Sequence, residues 1–206
     1  MRVFLRTGLA VLGLTVLLTV LVAVRWRPLV SFDVRAAGAL HRHALAHPGF
    51  TRVNRLLSDW VWDPWTMRLL AAAAVLWLLR RGDRRRALYV AVVTVLGAGA
   101  QHALKALVGR ARPRWPDPVA SAEFAAYPSG HAMTAAVVCG LLLWACGRPP
   151  WAVVLAAVSV LGVGFTRVYL GVHWPTDVLG GWLLGAALVL LAAAAYERPR
   201  ARRSGP

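Results

Sequence analysis

The sequence has few acidic residues and no cysteine pattern for a metal. Of its 206 residues, eight are Asp or Glu and 24 are Lys or Arg, which gives a net charge of +16. Cys139 and Cys146 would lie about 10 Å apart along a helix, too far for a disulfide. No C-x-x-C or Cys/His zinc spacing is present. The cysteines therefore indicate neither a zinc site nor a disulfide, and they leave the redox compartment open.

A long polar segment is also absent, and this decides how the positive charge is interpreted. Hydrophobic residues make up 59% of the chain and the mean hydropathy is +0.58, a composition typical of membrane proteins. The basic residues lie mostly between apolar runs, where they would face anionic headgroups and cytoplasm. We therefore expect membrane lipids as partners and exclude nucleic acid.

Six apolar segments are candidates for membrane-spanning helices, which need about 20 residues each. They cover residues 4–24, 62–80, 87–108, 130–147, 150–170 and 176–196. The second is the weakest, because Asp63, Pro64 and Arg68 lie at its start. The sequence predicts an all-α polytopic membrane protein: one domain over residues 1–206 with six transmembrane helices.

Arginine placement predicts the orientation of these helices. Five of the seven residues at 80–86 are Arg, and four more lie in the tail 197–206, so both segments are expected in the cytoplasm. Both termini would then be cytoplasmic, in a cell-membrane protein. Residues 25–61 contain several arginines that oppose this rule. They are predicted to form one or two interfacial amphipathic helices on the extracytoplasmic face, broken at Pro48-Gly49.

Three short polar motifs lie at the ends of the apolar segments. They are Lys105 with Arg112-Pro113, then Pro128-Ser129-Gly130-His131, then Thr166-Arg167 followed by His173 and Asp177. Cations can hold a phosphate, one imidazole can attack it and another can supply a proton, so the set suits phosphoryl transfer. The predicted topology puts all three motifs on the extracytoplasmic side, which predicts a single site within residues 105–177.

The first motif combines two cations seven residues apart. Lys105 and Arg112 would share one face of a continuous helix. A charge at Lys105, about one turn inside an apolar segment, is costly. Snorkelling to the interface is the alternative for both cations, and the two companion motifs favour a functional role. Arg110, Arg114 and Arg148 are instead interpreted as cations that face the membrane interface.

The second motif is typical of a helix start. Ser129 is a good N-cap and Pro128 prevents the helix from extending backwards. The first N–H groups of such a helix point at an anion, and Gly130 would remove side-chain bulk beside a phosphate. His131 could protonate a leaving oxygen. A simple helix cap is the alternative.

The third motif places His173 and Asp177 four residues apart, with Pro175 suited to the first turn of a helix. Asp177 could hold one imidazole nitrogen and leave the other free to attack phosphorus. It could equally be an N-terminal cap beside an interfacial histidine. His41 and His43 would point apart on a helix, so no metal site is predicted there.

The ordered pattern Lys-x6-Arg-Pro, Pro-Ser-Gly-His and Arg-x5-His-x3-Asp resembles the type 2 phosphatidic acid phosphatase superfamily, over roughly residues 60–196. The resemblance implies that His173 forms a phosphohistidine, that Asp177 orients it and that His131 protonates the leaving oxygen. It implies a phosphate clamp, in place of a metal, made of Lys105, Arg112, Arg167, Ser129 and the Gly130 backbone. No cofactor is expected. Thr166 replaces a Ser usual in the family, but the hydroxyl is kept.

These features predict a membrane lipid-phosphate phosphatase. The first-choice substrate is an undecaprenyl-type polyprenyl diphosphate, because the site would face outward. The alternatives are phosphatidylglycerol phosphate, phosphatidic acid or a small soluble phosphate ester. A lipid-binding or lipid-translocating protein without catalysis is a further alternative, although such a protein would not need the paired His131 and His173.

Overall fold

The computed structural model of the protein describes residues 1–197, and these contain helices but no strand. The helices are α1 (Arg2–Ala23), α2 (Arg27–Ala46), α3 (Pro48–Leu56), a π-helical segment (Leu57–Val61), α4 (Pro64–Arg80), α5 (Arg84–Val108), α6 (Gly130–Cys146), α7 (Pro150–Tyr169) and α8 (Pro175–Tyr196). The all-α prediction is confirmed for the described residues. The predicted cytoplasmic tail lies almost entirely outside them.

Each of the six apolar segments coincides with one helix: α1, α4, α5, α6, α7 and α8. Four of these, α1, α5, α7 and α8, are long and apolar enough to cross a membrane, and α6 is a shorter apolar helix. Large apolar side chains such as Leu17, Leu96 and Leu155 are 55–59% exposed, as expected of a lipid-facing surface. These features support a multi-pass membrane protein, while six spans and the orientation stay predictions.

The segment 25–61 forms two helices that meet at His47. α2 ends at Ala46, and α3 starts at Pro48, whose fixed φ and missing N–H suit a first helical position. This break is within a residue of the predicted one at Pro48-Gly49. α2 packs against α7 and α8, and α3 packs against α7, so the segment lies on the helices that carry the third motif.

α6 packs closely against α8, and glycines bring the two backbones together. A Cβ added at Gly181 would lie 2.7 Å from the Ser129 carbonyl oxygen, and one at Gly185 would lie 3.0 Å from that of Met133. Ser129 N–H also donates to the Asp177 carbonyl at 2.9 Å. Close packing through small residues therefore holds the start of α6 against the start of α8.

Candidate active site

The three motifs meet at one end of the bundle. Lys105 lies in the last turn of α5, His131 in the first turn of α6 and Arg167 near the end of α7. His173 lies in the short connection to α8, and Asp177 lies in the first turn of that helix. The Arg-rich connection between α4 and α5 is at the other end of α5.

His173 is buried and held at both ring nitrogens. Its Nδ1 lies 3.3 Å from Asp177 Oδ2, and its Nε2 lies 3.1 Å from Arg112 Nη1. Because a guanidinium only donates, Nε2 is the acceptor and Nδ1 carries the proton that faces Asp177. Burial, followed by the charges of Arg112, Arg167 and Lys105, holds the pKa of His173 well below its usual 6.5. The imidazole is therefore neutral at pH 7, with the Nε2 lone pair directed into the site.

Asp177 is fully buried and serves two functions. Its Oδ2 accepts the Trp174 N–H at 2.9 Å and also faces His173. The carboxylate therefore caps the start of α8 and also faces the imidazole, while His173 is buried rather than interfacial; the catalytic role of the pair stays a prediction. Its Oδ1 accepts a hydrogen bond from Arg110 Nη1 at 2.6 Å.

Arg110 does not face the membrane interface, so that interpretation of it was wrong. Its side chain is 13% exposed and bridges two carboxylates, Asp177 and Asp33, each at 2.6 Å. The cause is Gly109, which ends α5 at a φ of 57° and turns the chain so that Arg110 points inward. Asp33 lies in α2, far away in the sequence. The only feature of the sequence that could have indicated this contact was Asp33 itself, one of few acidic residues, in a helix with an apolar face.

Arg112 is not on the helix that carries Lys105, in contrast to the prediction. α5 ends at Val108, and Arg112 reaches the site from the connection between α5 and α6. Lys105 Nζ donates to the Ala125 carbonyl, and Arg112 Nε donates to that of Phe124 at 2.9 Å. The backbone of this connection therefore holds both cations beside His173.

Ser129 occupies the N-cap position of α6, but its side chain does not cap the helix. Within the described part of the chain, Ser129 Oγ and Arg167 Nε are buried without a hydrogen-bond partner. Buried polar groups are seldom left unpaired, so these two atoms are candidates for contact with a bound anion. Gly130 also has a packing role, because a Cβ there would lie 2.6 Å from Gln101 Nε2.

His131 faces an acidic residue that sequence reasoning did not assign to the site. Its Nε2 lies 4.0 Å from Asp63 Oδ2, while Asp63 Oδ1 accepts the Trp65 N–H and caps α4. The N-cap position of Asp63 was the signal that could have placed it here. The two imidazoles thus each have a carboxylate nearby, at different distances.

Arg167 is 6% exposed, and its Nη1 donates to Ser58 Oγ at 2.7 Å. Ser58 is fully buried in the π-helical segment, a type of turn that is frequent at functional sites. Thr166 Oγ1 donates to the Val163 carbonyl of its own helix. The hydroxyl kept at that position therefore bonds to the backbone of its own helix.

Residues 1–197 contain no group of three or more His, Cys, Asp or Glu side chains arranged to hold a metal ion. His43 instead stacks on His47, with ring centroids 3.9 Å apart, and its Nδ1 lies 3.1 Å from the Tyr169 hydroxyl. The absence of a metal requirement stays a prediction.

Comparisons with known proteins decide the family. The sequence model of the PAP2 superfamily matches residues 86–201, more than half of the chain. The chain belongs to the PAP2 superfamily. Its fold agrees: the transmembrane PAP2-type phosphatidylglycerolphosphate phosphatase from Bacillus subtilis superposes with a TM-score of 0.69 at 24% identity, over 95% of this chain and 98% of that one.

Two curated relatives match this PAP2 chain over shorter stretches. The undecaprenyl-diphosphatase of Sulfolobus acidocaldarius is 42% identical over 66 residues, 32% of this chain and 31% of the relative. Phosphatidylglycerophosphatase B of Bacillus subtilis is 36% identical over 103 residues, 46% of this chain and 50% of the relative. The chain thus spans between about a third and a half of these relatives.

Proposed function

We propose that this protein is a lipid-phosphate phosphatase that works through a phosphohistidine on His173. The observation that carries the proposal is the state of that imidazole: Nδ1 faces a buried carboxylate, and Nε2 faces the cations. A neutral imidazole oriented in this way is a competent nucleophile toward phosphorus. Membership of the PAP2 superfamily and the names of the two relatives support the same chemistry.

The phosphate would lie among Lys105, Arg112 and Arg167, with the Ser129 hydroxyl and the Gly130 backbone N–H as further donors. Cations aimed at the phosphoryl oxygens stabilise the charge that develops in the transition state. In the bound state, phosphate oxygens would satisfy Ser129 Oγ and Arg167 Nε, which are buried without hydrogen-bond partners in the described residues.

The reaction would proceed in two displacements. His173 Nε2 forms a bond to phosphorus, and the P–O bond to the leaving group breaks, which is the anhydride bond of a diphosphate or the ester bond of a monophosphate. His131 gives its proton to the leaving oxygen. A water molecule then loses a proton to His131 and attacks phosphorus, the N–P bond breaks, and inorganic phosphate leaves. Asp177 holds the Nδ1 proton throughout and stabilises the positive charge that develops on the ring.

We further propose that six helices cross the cell membrane, as one domain, with both termini in the cytoplasm and the site on the outer face. The arginines at 80–86 would then be cytoplasmic, and the end of the bundle that carries the motifs would be extracytoplasmic. Residues 25–61 would lie at the outer interface. A phosphate held at this depth suits a lipid whose headgroup reaches the site while its tail stays in the bilayer.

A polyprenyl diphosphate of the undecaprenyl type is our first-choice substrate. A cavity of about 730 Å³ adjoins the site, and its lining includes Arg110, Arg112 and Arg114. Arg114 is the exposed arginine of this lining, and it favours a substrate with a second phosphate beside the one that Arg112 and the other clamp residues hold. Phosphatidylglycerol phosphate and phosphatidic acid are the alternatives, and a non-catalytic lipid binder would not require the imidazole–carboxylate pair.

The test is phosphate release by purified protein in detergent with EDTA, using a polyprenyl diphosphate, phosphatidylglycerol phosphate, phosphatidic acid and a water-soluble ester. We expect wild type to release phosphate, and His173→Ala to release none while remaining folded. His102→Ala is the matched control, because that histidine is exposed on α5. Folded wild-type protein that releases no phosphate from any substrate would contradict the proposal, and a strict metal requirement would contradict the cation clamp.

A further inference from the structure

A buried chain of charges continues behind the proposed nucleophile. Arg110 Nη1 donates to Asp177 Oδ1 and Arg110 Nη2 donates to Asp33 Oδ2, both at 2.6 Å. Asp33 and Asp177 are 1% and 0% exposed. Asp33 lies in α2, outside the residues that match the superfamily, and the proposed reaction does not use it.

Asp33 also holds the first turn of α8. Its Oδ1 accepts the Thr176 N–H at 3.0 Å, and its Oδ2 accepts the Thr176 hydroxyl at 2.5 Å. Arg110 Nη1 makes a further bond to Thr176 Oγ1 at 2.7 Å. A buried carboxylate with this many partners has one well-defined orientation, so Asp33 and Arg110 together fix the position of Asp177.

We propose that Asp33 and Arg110 are positioning residues for His173: Arg110 fixes the Asp177 carboxylate, and Asp33 balances the charge of Arg110 so that Asp177 remains available to the imidazole. This inference rests on the proposed function, in which His173 attacks phosphorus. Neither residue needs to touch the phosphate in order to act. Partners that lie one shell behind a reacting group typically change activity by about 10- to 100-fold.

The charge balance predicts that removing the charge of Asp33 and removing the charge of Arg110 change the stability of the His173 imidazolium in opposite directions. Asp33, Arg110 and Asp177 sum to one negative charge, which stabilises the positive charge that forms on the imidazole when Nε2 bonds to phosphorus. Removing the charge of Asp33 leaves the group neutral, which disfavours the imidazolium. Removing the charge of Arg110 leaves two negative charges, which favour the imidazolium.

Other charged and titratable groups surround the same imidazole and stay constant in the comparison. They are Lys105 from α5, Arg112 from the α5–α6 connection, His131 from α6 and Arg167 from α7. Burial and the charges of Arg112, Arg167 and Lys105 set the starting pKa of His173. The variants change only the charges of Asp33 and Arg110 behind Asp177. Differences in kcat and in the pH dependence of kcat/KM between the variants therefore report on these two charges.

The first test is a double-mutant cycle in the phosphate-release assay. We expect Asp33→Asn and Arg110→Gln each to lower kcat by about 10- to 100-fold, with KM changed much less. The double variant keeps Asp177 alone and so restores the sum of one negative charge, and we therefore expect its loss to be smaller than the product of the two single losses. Asp117→Asn is the matched control, an exposed carboxylate in the α5–α6 connection. Multiplicative effects, or single variants as active as the control, would overturn the proposal.

The second test is the pH dependence of kcat/KM in the two single variants. A loss of protein stability alone would not shift the acid limb in opposite directions in the two variants. The acid limb should shift to lower pH in Asp33→Asn and to higher pH in Arg110→Gln. In Arg110→Lys the charge is kept and the fork geometry is lost, so kcat should fall while the limb stays in place. Shifts in one common direction, or no shift in either variant, would contradict the charge-balance account.

Two outcomes separate this inference from the proposed function. If wild type shows no turnover on any substrate, the proposed function itself fails. If wild type and His173→Ala behave as expected while Asp33→Asn and Arg110→Gln match wild type, only the present inference fails. Loss of folded protein in both Asp33→Asn and Arg110→Lys would assign the network to stability and would also overturn it.

Discussion

The segment 25–61 and the motif region 105–177 contribute to the site in different ways. The motif region supplies the groups proposed to touch the phosphate, namely three cations, two imidazoles and a helix start. The segment supplies Asp33 and Ser58, each hydrogen-bonded to an arginine of the site. The groups proposed for the chemistry therefore lie in motifs near helix ends, whereas their supporting contacts come from a region outside the residues that match the family.

The largest loss of activity is expected when a cation of the phosphate clamp, in the motif region, is removed. Arg167→Ala removes a buried cation, and we expect kcat to fall by about 10²- to 10³-fold, as for other donors aimed at developing charge. Arg148→Ala, at an exposed position between α6 and α7, should leave kcat unchanged. Equal activity of the two variants in the phosphate-release assay would remove Arg167 from the clamp.

The next effect concerns pH. Burial and the three neighbouring cations lower the pKa of His173, so the neutral, nucleophilic form persists as the pH falls through 6.5. The acid limb of kcat/KM should therefore lie below pH 6.5, where an exposed histidine would already be partly protonated. A limb at or above that value would show that the cations do not act on this imidazole.

A smaller effect is expected in the supporting segment. Ser58→Ala removes one hydrogen bond to Arg167 and leaves the charge in place, so kcat/KM should fall by roughly tenfold. Ser31→Ala provides the control, since Ser31 is exposed on α2. An effect as large as that of Arg167→Ala would mean that Ser58 acts on the phosphate directly.

The smallest effect is expected at Thr166. Its hydroxyl bonds to the Val163 carbonyl within α7, a contact that serine makes equally well. Thr166→Ser should therefore leave kcat and KM unchanged within error. A clear change in either constant would indicate that the hydroxyl turns toward the site when substrate is bound.

The sequence predicted the helices and the motif residues because both follow from local patterns. Apolar runs of helical length mark α1, α5, α7 and α8, and residue types at fixed spacing mark His131, His173 and Asp177. Arg112 was placed on the wrong element, because the end of α5 depends on the left-handed conformation at Gly109.

The partners behind the site were not predicted, for a different physical reason. The contact between Arg110 and Asp33 joins residues that are 77 positions apart, and no periodicity within either segment indicates it. Arg110 was interpreted as an interface cation because an arginine near the end of an apolar helix usually is one. Only the packing of α2 against α8 shows where its guanidinium lies.

The most direct test of the central claim is to capture the phosphoenzyme by rapid quench with a labelled aryl phosphate, in wild type and in His131→Ala. An aryl leaving group needs little protonation, so His131→Ala should form the intermediate and hydrolyse it slowly. We expect acid-labile, alkali-stable phosphate on the peptide that contains His173, and none in His173→Ala. Label on any other residue would contradict a His173 nucleophile. So would the absence of label from both wild type and His131→Ala during turnover.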